Sequence, residues 1–165
     1  MKSKKTSLLR AASLAVIGSI LSTLSSHAAA LTWDGNSNTA PNPNGGTGDW
    51  DVNATTNWWD GAANVVWPAL GGTDDDAVFG NTAGDVSLIS DITANDLTFN
   101  TTGYTLLGTQ TLTLNGTTPT ITITTGTTTI GDGDGIVIDG IAGLTKAGAG
   151  TLTLNASVEN TFTGG

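Results

Sequence analysis

The chain has 165 residues, no cysteine, a net charge of −9 and only 12% charged residues. A globular enzyme carries about a quarter charged residues, so this balance favours a repetitive all-β surface over a mixed α/β domain. The lack of cysteine excludes a disulfide framework and any thiolate metal site.

The chain opens on a basic stretch, Lys2, Lys4, Lys5 and Arg10, followed by an apolar run from Ala11 to Leu24. Two small-x-small sequences follow, Ser26-His27-Ala28 and Ala28-Ala29-Ala30. This order is that of a secretory signal peptide over residues 1–30, and the run is too short for a comfortable membrane span. The mature chain is therefore not an integral membrane protein. Removing the leader takes away four of the five basic residues and the only histidine. Lys146 then stands alone against 14 acidic residues, a net charge of −13. Such a chain repels nucleic acid and anionic lipid. It also lacks a histidine for a Ser/His/Asp or Cys/His arrangement and an arginine to clamp an anionic substrate.

Residues 31–80 form a tryptophan region holding all five tryptophans of the chain: Trp33, Trp50, Trp58, Trp59 and Trp67. Asn36-Ser37-Asn38 and the Pro41 to Gly46 run mark loops between short strands. Two roles suit these rings. They can stack on sugar faces as a ligand-binding set, or they can close the open end of a solenoid whose first coil would otherwise expose its core. Asp74, Asp75 and Asp76 follow. Three adjacent carboxylates invite calcium, the one cofactor in view, but successive residues on an extended chain point in alternate directions. They also keep a paired-carboxylate glycan hydrolase in consideration, and otherwise form a solvated turn before a strand.

Residues 81–165 are regular. Short alternating runs, among them Val86 to Ile89, Leu97 to Phe99, Thr111 to Asn115, Thr120 to Thr124, Thr127 to Ile130 and Thr151 to Asn155, are separated by Gly, Asn and Asp. Period-two alternation marks half-buried strands. Thr111-Leu112-Thr113-Leu114-Asn115 recurs forty positions later as Thr151-Leu152-Thr153-Leu154-Asn155. Forty positions suit two turns of a coil of about twenty residues, so the pattern predicts an all-β parallel solenoid. An antiparallel β-sandwich is the alternative. Gly131-Asp132-Gly133-Asp134-Gly135 is a single copy and reads as a tight turn.

The last stretch carries the most specific pattern: Gly143, Leu144, Lys146, Gly148, Gly150, Thr151, Leu152 and Leu154, then Asn160, Phe162, Gly164 and Gly165. Over residues 143–165 it resembles the autotransporter-associated β-strand repeat. The resemblance implies a right-handed parallel β-helix in a secreted or surface-displayed bacterial protein, and it brings no catalytic residues. Family members continue into another strand after the glycine pair. The resemblance therefore makes the chain an N-terminal piece of a longer protein, with a last coil open to pairing with a second copy. The expected function is a non-enzymatic, adhesin-like passenger segment that meets an extracellular glycan or a host or neighbouring cell surface. A carbohydrate-binding module using the tryptophans is the alternative, and a polysaccharide hydrolase using the aspartates a remote one. A lyase would need a base, and only Lys146 remains.

Overall fold

The computed structural model describes residues 29–35, 43–68 and 75–164. Residues 1–28, most of the expected signal peptide, lie outside the described residues, as do Asp74 and Gly165. Those described form fifteen short strands and no helix. Four lie in the tryptophan region: β1 (Ala30–Trp33), β2 (Gly48–Trp50), β3 (Trp58–Trp59) and β4 (Asn64–Val65). Three strands per coil follow. The first full coil is β5 (Asp76–Phe79), β6 (Asp85–Leu88) and β7 (Ile92–Ala94). The second is β8 (Leu97–Phe99), β9 (Thr105–Leu107) and β10 (Thr111–Leu114), and the third is β11 (Thr120–Ile123), β12 (Thr127–Ile130) and β13 (Val137–Asp139). β14 (Thr145–Ala147) and β15 (Thr151–Leu154) begin a fourth.

Each strand pairs with its counterpart one coil away, which generates three faces. One sheet runs β14-β11-β8-β5-β1-β3-β4, a second runs β13-β10-β7, and a third runs β15-β12-β9-β6-β2. The coil-to-coil pairings are parallel, and the antiparallel alternative does not hold. Only β1–β3 and β3–β4 are antiparallel. That small hairpin lies over the outer edge of β1, where an unpaired row of backbone donors and acceptors would otherwise template another chain.

The alternation is what puts the core inside. On one face Ala77, Leu97 and Ile121 stand in register, as do Phe79, Phe99 and Ile123. On the others Val86, Leu106 and Ile130 align, and Ile92, Leu112 and Ile138. All of these side chains are buried. Each Val, Leu, Ile or Phe among them contributes about 1.5–3 kcal/mol of transfer free energy, and no single coil could bury them without its neighbours. The intervening threonines face outward, where a β-branched side chain suits a pleated, solvated surface. Phe79 and Phe99 stack face to face, with centroids 4.5 Å apart and planes 8° from parallel.

Coil length is not constant, and this changes the meaning of the sequence repeat. Ala77 to Leu97 is a step of twenty, Leu97 to Ile121 of 24, and Ile121 to Lys146 of 25. Thr111–Leu114 and Thr151–Leu154 therefore do not stack. The first is β10, paired with β7 and β13, and the second is β15, paired with β12. Leu97-Thr98-Phe99, a looser version of the same alternating pattern, lies on the remaining face as β8. One local pattern has served three different faces, because alternation specifies in and out but not which side of the coil a strand occupies.

Candidate functional site

Three features predicted from sequence can be placed: the tryptophans, the aspartates and the terminal repeat motif. The structure puts them at different positions along the solenoid and does not assemble them into one site.

The tryptophans make a plug. Trp33, Trp50, Trp58 and Trp67 are 0–1% exposed. Trp58 sits 5.1 Å from Trp33, 4.9 Å from Trp50 and 4.6 Å from Trp67, centroid to centroid. Phe79 of the first full coil touches Trp33, Trp50 and Trp58, and leads through Phe99 and Tyr104 into the core. The tilted and edge-on geometries suit the ring quadrupoles. Trp33 Nε1 donates to the Gly46 carbonyl at 2.7 Å, and Trp67 Nε1 to that of Thr93 at 3.2 Å. The sugar-stacking expectation is corrected for these four residues: a buried ring has no free face for a pyranose. Trp59 alone, on the outward side of β3, is partly exposed.

The plug is tied down by a residue that sequence reasoning passed over. Asp34 is completely buried. Its Oδ1 accepts from the Asn44 amide at 3.0 Å and its Oδ2 from Asn64 Nδ2 at 2.8 Å, while its own amide donates to the Asn57 carbonyl. A buried carboxylate needs such partners, and here Asp34 ties two loops, at Asn44 and Asn57, and strand β4 to the end of β1. An isolated Asp between Trp33 and Gly35 carries no pattern that would have revealed this. Tyr104 performs a similar task one coil on. Its hydroxyl lies 2.6 Å from the Gly80 carbonyl and 2.7 Å from that of Thr82, and burial pushes its phenol up to about 12.

The aspartates diverge. Asp75 is turned inward, and its Oδ1 accepts from the Ala29 amide at 3.0 Å. Asp76 Oδ1 accepts from Asn95 Nδ2 at 2.7 Å. The two carboxylates thus serve different neighbours, as alternation requires. Among the described residues no group of three or more His, Cys, Asp or Glu converges as a metal site would. The 131–135 stretch is a turn that braces its neighbours: Asp134 Oδ2 accepts from the Gly108 amide, and the Asp134 carbonyl accepts from the Ser157 amide and hydroxyl.

In the terminal motif most fixed positions have a physical task. Lys146 Nζ donates to the carbonyls of Gly148 and Gly150, pinning the turn between β14 and β15. Gly148 has φ +76°, and a Cβ there would run into the Ile123 carbonyl of the coil below, so both its backbone angle and its close approach require glycine. Asn160 Oδ1 accepts from the Ile138 amide at 2.8 Å, and the Thr161 amide donates to the Ile138 carbonyl, which carries the β7-β10-β13 face into the fourth coil. Leu144, Leu152 and Phe162 pack against the core while partly exposed, and Leu154 is 42% exposed. Thr151 is paired with Thr127 of β12. Between Thr117, Thr118, Gly143, Leu144, Phe162 and Gly164 lies an open groove of about 400 Å³.

Coils stacked in parallel and plugged at one end by aromatics define a capped parallel β-solenoid. Over 136 residues, 80% of the chain, the sequence is 42% identical to the adhesin BmaC autotransporter of Brucella suis biovar 1 (strain 1330). The aligned segment spans about 4% of that relative's length. No family model matches the chain, and no solved structure does.

Proposed function

We infer that the chain is a secreted, surface-displayed and non-enzymatic passenger segment whose plugged first coils anchor a rigid rod carrying adhesive loops. The 42% identity to an autotransporter adhesin over four-fifths of the chain carries this reading. Two further observations support it. The carboxylates that would serve a hydrolase, Asp75 and Asp76, hold backbone and side-chain donors of the fold instead. The mature chain also keeps no histidine or arginine. Fold alone does not assign function, and a rod of stacked coils is a support on which loops do the recognising. An extracellular glycan or a cell-surface protein is the partner class this reading brings, with no cofactor required.

The test is display. The chain, joined to an outer-membrane translocator in a Gram-negative host, becomes cleavable by protease added to intact cells and increases their attachment to host-cell monolayers. Surface exposure without any gain in attachment would reduce the reading to a structural stalk. Retention inside the cell would overturn it.

A further inference from the structure

We propose that the export leader is cut between Ala28 and Ala29, and that the α-ammonium so created docks on the buried carboxylate of Asp75 as a structural ion pair. The inference rests on the export reading above, and it decides between the two cleavage sequences at residues 26–30.

The argument starts from Asp75. It is only 4% exposed, and its Oδ1 takes the single N–H that a peptide bond leaves on Ala29, at 3.0 Å. Its other oxygen, Oδ2, is buried and has no partner among the described residues. Buried carboxylates are paired, with a cation or with several donors. No side-chain cation is at hand. Beyond residue 10 the only Lys or Arg is Lys146, which is committed to the Gly148 and Gly150 carbonyls. The neighbouring carboxylates are engaged elsewhere: Asp76 Oδ1 with Asn95, and Asp96 Oδ1 with the Thr120 amide. Cleavage creates the one further positive charge the mature chain can own, and puts it on the atom already in contact with Asp75. Water adds across the Ala28–Ala29 amide, leaving a carboxylate on Ala28 and an ammonium on Ala29. Three N–H donors then stand where there was one, enough to serve both oxygens of Asp75 in a charge-assisted pair.

The strand register agrees with this cut and opposes the later one. The Ala29 carbonyl accepts from the Asp76 amide at 2.8 Å, and Ala30 pairs with Asp76 at the start of β1. Ala29 also packs against the core. Cleavage after Ala30 would remove all of these; cleavage after Ala28 keeps them and adds the charge.

The full chain, exported with its own leader from a Gram-negative host, tests this. Intact mass and N-terminal sequencing of the exported protein should give Ala29 as the first residue. Its α-amine, held as an ammonium, should react with an acylating reagent at pH 6.5, below the ordinary α-amino value, about tenfold more slowly than in Asp75→Asn, one unit of pKa being a factor of ten there. Asp75→Asn should lower Tm by roughly 5 °C. If that variant fails to fold, a chain with one glycine inserted between Ala28 and Ala29 keeps Asp75 but moves the ammonium one residue away. Its α-amine should label about tenfold faster than that of the unaltered chain. A first residue of Leu31, or equal labelling of the unaltered and glycine-inserted chains, overturns the ion pair. A leader that stays attached to a chain retained in the cytoplasm overturns the export reading itself.

Discussion

The two ends of the described solenoid solve one packing problem by opposite means. At the tryptophan end, bulk fills the space: four indoles and Phe79 meet at centroid distances of 4.6 to 6.0 Å. At the repeat-motif end, absence of bulk does it. Glycines let the turn of the fourth coil lie directly on the backbone of the third, and Lys146 and Asn160 stitch the coils by hydrogen bonds to carbonyls and an amide. The first device gives burial and so the larger share of stability. The second gives register, since a coil that must sit on Ile123 and Ile138 cannot slide.

Substitutions can break this contrast. The largest effect is expected from a charge in the closed part of the core. Leu114 is 2% exposed and Leu154 42%, although they occupy the same place in two copies of one five-residue pattern. Leu114→Asp buries an unpaired carboxylate and should leave no cooperative unfolding transition, seen as loss of β-sheet circular dichroism at room temperature. Leu154→Asp should keep the fold, as should the outward Thr113→Asp. Equal damage from Leu114→Asp and Thr113→Asp would contradict the inward and outward assignment.

Next comes the plug. Trp58 touches Trp33, Trp50, Trp67 and Phe79 at once, so Trp58→Ala should cost about 3–5 kcal/mol, read from urea unfolding. A loss below 1 kcal/mol would mean that the cluster is not the main closure. The backbone device is tested by a pair of glycines. Gly148 and Gly133 have φ of +76° and +78°, but a Cβ meets the Ile123 backbone at the first and nothing within 4 Å at the second. Gly133→Ala should therefore cost only the backbone term of about 1–2 kcal/mol, and Gly148→Ala clearly more. Equal losses would show that conformation, not close approach, keeps the motif's glycine.

Alkali separates the regions without mutation. Tyr104 connects the plug to the second coil, and burial raises its phenol from 10.0 to about 12. A group raised on folding stabilises fully below its unfolded value and loses that contribution as pH climbs through the folded one. Stability should therefore fall between about pH 10 and 12. In Tyr104→Phe this alkaline fall should be shallower.

Much of this was legible from residue patterns, and what escaped did so for definite reasons. Alternation located the inward leucines and isoleucines from β8 to β12, because a two-residue period survives any change in coil length. The same period misled on the forty-residue repeat: with coils of twenty and then 24 or 25 residues, equal spacing no longer means equal face. Ile92–Ala94 escapes the pattern because Ser90-Asp91 and Asn95-Asp96 flank it as turn formers and Ala94 is a weak apolar mark. The tryptophans were correctly located as a cluster, but a sugar platform and a plug have the same composition, and only burial tells them apart. Asp34 and Asp75 were beyond reach for another reason. Their roles depend on donors at Asn44, Asn64 and Ala29, ten to 46 positions away, which only the coiling brings close.

The smallest effect should come from the most conspicuous charge. Lys146 is the sole Lys or Arg beyond residue 10, and its motif position suggests an indispensable residue. Yet its hydrogen bonds to Gly148 and Gly150 lie at the surface, where water can replace the ammonium on both carbonyls. Lys146→Met keeps most of the aliphatic stem over the turn and removes only the donors, so it should cost about 0.5–1.5 kcal/mol in urea unfolding. The consequence should be local: faster amide hydrogen exchange in 147–151, with no change around Trp58. A loss as large as that of Trp58→Ala would mean that the turn, and not the plug, carries the solenoid's stability, and would reverse the ranking of the two ends.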